Sequence, residues 1–289
     1  MKILVTGANG MLGQDLCPVL EDVGFYVIET DKENLDITDK EMVENVISSI
    51  KPDMVIHCAA YTNVDKAEED LAAAELINTA GTENIAKACA KIDATMVYIS
   101  TDYVFDGTKA EPYLPCDETN PQSNYGLTKL KGEEAVKKYC EKYYIARTSW
   151  LYGHYGKNFV ETMINLAEKA AAVNQKDSSA LPQNDVIKVV DDQIGCPTWT
   201  IELANGILKL LSKPFGIYHI CGSGQTSWYG FAKEIFSQTG LDVNIKPCAT
   251  EEFPRPAKRP AYSVMDNDGL CRNWKVALKD YLALRNVEV

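Results

Sequence analysis

The chain has 289 residues, 46% of them hydrophobic and 24% charged, with 29 Lys and Arg against 41 Asp and Glu for a formal net charge of −12. That composition belongs to an ordinary globular protein large enough to bury a core without staples, and it excludes disorder, collagen-like repeats and a disulfide-knotted miniprotein. So acidic a chain is a poor partner for nucleic acid or an anionic membrane surface, although a local basic pocket for a small anion is allowed.

The nine cysteines are odd in number and include no Cys-x-x-Cys, so they read as buried thiols in a reducing, cytoplasmic setting. No apolar run reaches the ~18 residues of a membrane span, and the N-terminus enters Lys2-Ile3-Leu4-Val5 without the apolar stretch of a signal peptide.

Lys2–Thr6 reads as a short apolar strand, followed at once by Gly7-Ala-Asn-Gly10-Met-Leu-Gly13 and by helical spacing over residues 11–20. In that context Gly7 permits a tight turn, Gly10 lets the backbone approach a pyrophosphate, and Gly13 lets helix and strand pack closely. The helix N-terminus then offers free N–H groups and a positive dipole end to phosphates. Residues 25–29 form a second strand. Asp31 follows, 18 residues past Gly13, where a carboxylate receives the adenosine ribose hydroxyls. A carboxylate there repels a 2′-phosphate, which favours NADH while leaving NADPH open, because Lys32 partly offsets the repulsion.

Lys40–Ile50 is helical, and residues 54–58 are a third strand ended by Ala59-Ala60-Tyr61-Thr62, whose small members leave room for a cofactor. Residues 71–90 read as one amphipathic helix carrying Asn78, which serves either the structure alone or the site. Residues 95–100 are a fourth strand ending in Ser100-Thr101-Asp102, where a hydroxyl at a strand's carboxyl end can meet a substrate oxygen. Tyr125-Gly-Leu-Thr-Lys129 opens a helix and puts Tyr and Lys on one face. A nearby ammonium is expected to lower the phenol's pKa, and the same lysine can bind the nicotinamide ribose. Tyr143–Thr148 is a fifth strand. Strands alternating with helices predict an α/β fold, a Rossmann-type doubly wound parallel sheet covered on both faces.

Past residue 150 the rhythm loosens. Residues 158–170 read as a helix, and 171–185 as a polar surface excursion with few large apolar anchors, hence mobile. Strands are expected at 186–190, 216–220 and 242–247, and helices at 200–211, 227–239 and 273–284. Residues 251–259 form a loop whose Arg255, Lys258 and Arg259 are candidate partners for a nucleotide's charges. Residues 1–152 are expected to be the NAD(P)-binding domain, receiving later segments at about 186–222, with 153–289 mainly a smaller substrate-binding α/β part. His57, His154 and His219 lack metal-ligand spacing, and Gly-x-Ser-x-Gly is absent.

With these residues in hand, the chain resembles the dTDP-4-dehydrorhamnose reductases of the extended short-chain dehydrogenase/reductase superfamily. The resemblance runs through Cys58-Ala-Ala-Tyr-Thr-Asn-Val-Asp65-Lys-Ala-Glu68, Ser100-Thr-Asp-Tyr-Val-Phe-Asp-Gly107 and Asn124-Tyr-Gly-Leu-Thr-Lys-Leu-Lys-Gly-Glu133. It continues in Arg147-Thr-Ser-Trp-Leu-Tyr152, Asp192-Gln-Ile-Gly-Cys-Pro-Thr198, Ser227-Trp-Tyr229 and Arg255-Pro-Ala-Lys-Arg-Pro260. It implies that Tyr125 is the proton donor, Lys129 its partner, and Thr101 the hydroxyl beside the substrate. Asp102 and Trp150 would line the sugar site, with Gly10, Met11 and Leu12 at the pyrophosphate. Asp31, Asp36, Ile37, Ala59, Ala60 and Tyr61 would line the rest of the cofactor groove.

The implied reaction reduces the 4-keto group of dTDP-4-keto-6-deoxy-L-mannose to give dTDP-L-rhamnose. Some members bind Mg2+ at a dimer interface, which directs attention to Asp15 and Glu202 and to a homodimer. Two departures from the family stand out: the segment after residue 170 is longer, and the stretch between Met265 and Trp274 is shorter. The fold also serves a non-catalytic regulatory subunit, that of methionine adenosyltransferase, and reductases or epimerases of other nucleotide sugars. These are the alternative expectations.

Overall fold

The structure is a computed structural model that describes residues 1–176 and 186–285. β1 (Lys2–Thr6) is apolar on both faces and leads through Gly7–Gly10 into α1 (Met11–Asp22). β2 (Tyr26–Thr30), α2 (Lys40–Ile50) and β3 (Met54–His57) follow, with α2 capped by Asp39, whose side chain accepts the Met42 N–H at 3.0 Å. Two short helices, α3 (Lys66–Glu69) and α4 (Leu71–Glu75), lead through a π-helical segment (Leu76–Gly81) into α5 (Thr82–Lys91). β4 (Thr95–Thr101), α6 (Asn124–Tyr139) and β5 (Tyr143–Thr148) complete the first half.

The second half holds β6 (Leu151–Tyr152), α7 (Phe159–Lys176), β7 (Ile187–Val190), β8 (Ile194–Gly195), β9 (Thr198–Trp199) and α8 (Thr200–Leu210). β10 (Gly216–His219), β11 (Thr226–Ser227), α9 (Trp228–Thr239), β12 (Ile245–Cys248) and α10 (Trp274–Arg285) end the described chain.

Six strands form one parallel sheet in the order β10-β5-β4-β3-β1-β2. β1 lies between β2 and β3, so the order reverses there, and the crevice outside the carboxyl ends at that point is where such sheets take ligands. Apolar cores lie on both faces. One joins Leu12, Leu16 and Leu20 of α1 to Leu203 and Ile207 of α8; the other joins Val43 and Ile47 to Ile85, Tyr98 and Val136. Each such side chain, once buried, contributes roughly 1.5–3 kcal/mol. α8 and β10 thus return to the large sheet from late in the sequence. A third core of Tyr152, Phe231, Trp274 and Tyr281 gathers α7, α9 and α10 into the smaller part.

Three elements differ from the sequence reading. The helix expected over 71–90 is interrupted by the π-helical turn around Asn78, which a 3.6-residue apolar pattern cannot reveal. β7, expected beside the nucleotide-binding sheet, pairs instead with β12 in a separate two-stranded sheet. α7 continues to Lys176, six residues into the expected excursion; residues 177–185, and with them most of the mobility expectation, lie outside the described residues. Among the described residues, no helix is long and apolar enough to cross a membrane.

Candidate active site

The glycine turn after β1 is a cradle that side chains would fill. A Cβ on Gly7, whose φ is +67°, would lie 2.7 Å from the Ala59 nitrogen, and one on Gly13 would lie 2.4 Å from the Ala8 carbonyl oxygen. Gly10 precedes α1 as its N-cap with extended backbone and no side-chain cap, so N–H groups face outward there, next to Met11 and Leu12. Asp31, at the end of β2, accepts the Asn9 N–H of this turn at 3.1 Å and the Lys32 N–H at 2.7 Å. Its carboxylate therefore touches the rim of the cradle. Asp36 accepts from the Thr38 hydroxyl and N–H, and those bonds hold its carboxyl below the usual range. Ile37 is buried against Gly81, where a Cβ would meet its side chain at 2.7 Å.

The loop after β3 is held from below. Asn78, 1% exposed, accepts the Tyr61 N–H at 2.8 Å and donates to the Tyr61 carbonyl at 3.1 Å and to Thr128 Oγ1 at 3.1 Å. The π-helical turn that carries it thus ties Ala59–Ala60–Tyr61 to the helix bearing Tyr125, so the structural and functional readings of Asn78 meet in one side chain.

Tyr125 sits in the first turn of α6, which Ser123 caps through the Gly126 N–H at 3.2 Å. Gly126 and Gly132 let this helix lie tightly on its neighbours: a Cβ would lie 2.2 Å from the Tyr103 carbonyl oxygen at the first and 2.3 Å from the Tyr98 hydroxyl at the second. Burial pushes the Tyr125 phenol up to about 12, against a lowering hydrogen bond from Thr101 and with a further rise from the Asp102 charge. This corrects the expectation that Lys129 would lower it. Lys129 Nζ donates instead to the Ile99 carbonyl at 2.6 Å and lies 4.2 Å over the Tyr98 ring, and burial brings its own pKa down to about 7. A phenol that keeps its proton is the form a proton donor needs.

Thr101 ends β4. Its hydroxyl donates to Asp102 Oδ1 at 3.0 Å and accepts the Tyr103 N–H at 3.2 Å. Asp102 is 2% exposed, and burial raises its carboxyl to about 6 despite the hydrogen bond from Thr101. Beneath them Arg147 and Glu133 form a buried two-bonded pair at 2.9 and 2.7 Å, with the Ser100 hydroxyl donating to Glu133 at 2.6 Å.

Sequence reasoning left three neighbours without a role. Tyr103 sets its ring edge-on to Tyr125, centroids 5.5 Å apart. Glu68 accepts the Asn124 N–H at 2.7 Å and anchors the start of α6. Asp65 receives Arg259 at 2.5 Å and Arg255 at 3.8 Å. Burial opposes ionisation of Asp65, but the bonds from Arg259 and the Ala257 N–H prevail and hold its carboxyl below the usual range. Arg259 is therefore engaged within the chain, whereas Arg255 is exposed and only loosely paired, and Lys258 donates to Gln122 at 3.3 Å. All three signals lay inside the family strings, but each partner is far away in sequence.

The candidate metal residues do not fit an ion as they stand. Asp15 and Glu202 are 7% and 6% exposed. Thr200 donates to Asp15, while Arg272 donates to Glu202 through Nε, Nη2 and its backbone N–H at 2.8, 2.6 and 3.1 Å. A cation at Glu202 would meet a guanidinium. Among the described residues no group of three or more His, Cys, Asp or Glu side chains could hold a metal ion.

A glycine cradle after the first strand, with a hydroxyl, a tyrosine and a lysine gathered around the end of the fourth, marks the fold as that of an extended short-chain dehydrogenase/reductase. UDP-glucose 4-epimerase from Thermus thermophilus shares this fold, with a TM-score of 0.80 at 20% identity. The chain belongs to the family described as RmlD substrate binding domain, which matches residues 1–285. It is similar to the spore coat polysaccharide biosynthesis protein SpsK of Bacillus subtilis, at 41% identity over 99% of this chain and 98% of that one. A dTDP-4-dehydrorhamnose reductase from Clostridium acetobutylicum is 49% identical, with a TM-score of 0.91 and coverage of 98% and 99% of the two chains. The same enzyme from Bacillus anthracis, solved in complex with NADP, is 40% identical, with a TM-score of 0.90 and the same coverage.

Proposed function

We propose that this chain is an NAD(P)H-dependent oxidoreductase that reduces the 4-keto group of dTDP-4-keto-6-deoxy-L-mannose to yield dTDP-L-rhamnose. The observation that carries the reading is the meeting of Tyr125, Thr101 and Lys129 at the carboxyl end of β4, in a chain whose relatives carry that activity in their names. NAD(P)H supplies the hydride equivalent when bound, and the Gly7–Gly13 cradle with Ala59, Ala60 and Tyr61 fits its pyrophosphate and nicotinamide halves.

Tyr125 gives its proton to the C4 oxygen, so that hydride and proton together convert ketone to alcohol. Lys129 sits one helical turn on, bonded to the Ile99 carbonyl of β4, where its side chain can hold the nicotinamide ribose. Thr101 stands beside the same oxygen, and Asp102 and Trp150 line the sugar. Asp31 favours NADH, because its carboxylate at the rim of the cradle brings a 2′-phosphate against like charge. The nine free cysteines and the acidic surface suit a cytoplasmic enzyme.

The test is Tyr125→Phe. Losing a positioned acid costs about 10²–10⁴-fold in turnover, while NADH affinity stays near the native value. Near-native turnover would remove Tyr125 from the role.

A further inference from the structure

Three strings of the sequence that take no part in the proton transfer meet at one place. They are residues 147–152, 192–198 and 227–229, and what they surround is Trp150. This residue has φ +48°, a backbone region that bulky side chains rarely occupy. Its indole lies flat on that of Trp228, with centroids 3.6 Å apart and planes 6° from parallel. Aromatic pairs left to themselves prefer an offset or an edge-on approach with centroids ~4.5–7 Å apart, so a surrounding frame keeps this one eclipsed.

The frame is visible. Trp228 Nε1 donates to Gln193 Oε1 at 3.2 Å, and the same ring rests on Phe159 at 4.6 Å. Gly195 makes room for the indole edge: a Cβ there would lie 2.5 Å from Trp150 Cε2 and 2.6 Å from its Nε1. β8, which carries Gly195, is fixed on one edge by antiparallel pairing with β11. On the other edge the Ile194 N–H donates to Ala261 O and the Ser263 N–H to Ile194 O, both at 2.8 Å. The frame therefore runs from the indole pair through β8 to the segment at residues 261–263.

We propose that Gln193, Gly195 and Trp228 are positioning residues that hold the Trp150 indole as a fixed wall against the apolar face of the deoxysugar. They set substrate affinity rather than chemistry. The proposal rests on the reading above that Trp150 lines the sugar.

The experiment is a double-mutant cycle on the full chain. KM for the dTDP-4-keto sugar, kcat, and the separate binding of dTDP-L-rhamnose and NADH are measured for Trp150→Ala, Trp228→Ala, Gly195→Ala and the pairs with Trp150→Ala. Trp228→Ala and Gly195→Ala should each raise KM about tenfold or more, with kcat and NADH affinity nearly unchanged, as loss of uniform binding requires. In the Trp150→Ala background neither should add anything, because residues acting through one side chain do not add.

A readout independent of turnover is the exciton signal of the stacked indoles in circular dichroism. Trp228→Phe should abolish it, and dTDP-L-rhamnose should perturb it while NADH does not. Trp228→Phe also stands in for Gly195→Ala if the latter fails to fold, with a smaller rise in KM. The proposal is overturned if Trp150→Ala raises KM while Trp228→Ala leaves it alone, or if the effects add in full. It is also overturned if Trp150→Ala itself leaves KM and dTDP-L-rhamnose binding unchanged, a result that removes Trp150 from the sugar site while leaving the Tyr125 chemistry standing.

Discussion

Lys129→Met should leave the folded chain more stable than the native one while damaging the reaction. Lys129 is 3% exposed, and burial holds its pKa at about 7 against an ordinary 10.5. At ~1.36 kcal/mol for each tenfold change in proton affinity, charging it in the fold costs on the order of 5 kcal/mol relative to the unfolded chain. Against that stands the bond from Nζ to the Ile99 carbonyl, a contribution of ~0.5–1.5 kcal/mol that methionine gives up. With some loss of packing over Tyr98, the balance is a gain of about 3 kcal/mol, or several degrees in Tm for a chain of this size. Lys129 would then be a group kept for function at the expense of stability.

The pH dependence has a definite sign. The unfolded lysine keeps its proton up to about 10.5 and the folded one only to about 7, so between these values the unfolded state binds more protons and native stability rises with pH. The advantage of Lys129→Met is therefore full below pH 7 and closes as the pH climbs towards 10.5. Thermal melts of the cofactor-free proteins from pH 7 upward, with NADH oxidation assayed in parallel, measure both. A variant that melts below the native chain at pH 7, or a gap that does not narrow at alkaline pH, would refute the reasoning.

Two further outcomes follow from the cofactor groove. Asn78→Ala removes three hydrogen bonds and leaves the Tyr61 backbone and Thr128 to find other partners, which at ~1 kcal/mol each predicts a loss of about 3 kcal/mol in urea unfolding together with weaker NADH binding. Unchanged NADH affinity would show that the loop after β3 does not depend on it. Asp31→Ala should narrow or invert the ratio of kcat/KM for NADH over NADPH; a native chain that already prefers NADPH would contradict the role given to Asp31.

The nucleotide-binding half was legible because its signals are local. Strands such as Met54–His57 are continuous apolar runs, the glycines of residues 7–13 stand directly between strand and helix, and Tyr125 and Lys129 are one turn apart. What the sequence could not show depends on distant partners. Asp65 meets Arg259 across 194 residues, so a side chain read as a candidate partner for a nucleotide's charges already has a partner within the chain. Lys129 bonds the Ile99 carbonyl that β4 offers it, and burial moves the Tyr125 phenol's pKa up rather than down. The π turn at Asn78 shifts the helix phase by a single residue, which the Ala-rich pattern of residues 71–90 does not register. Glu202, a candidate metal residue by resemblance, pairs instead with Arg272, 70 residues away.

The most direct test of the central claim follows a labelled hydrogen. The purified chain is incubated with dTDP-4-keto-6-deoxy-L-mannose and NADH carrying deuterium at the transferable position, and the product is examined by NMR. The account predicts dTDP-L-rhamnose with deuterium at C4 and one NADH oxidised for each sugar reduced. NADH that binds but is not oxidised by any nucleotide 4-keto sugar, or a product without deuterium at C4, would contradict it and return the chain to a regulatory or epimerase role.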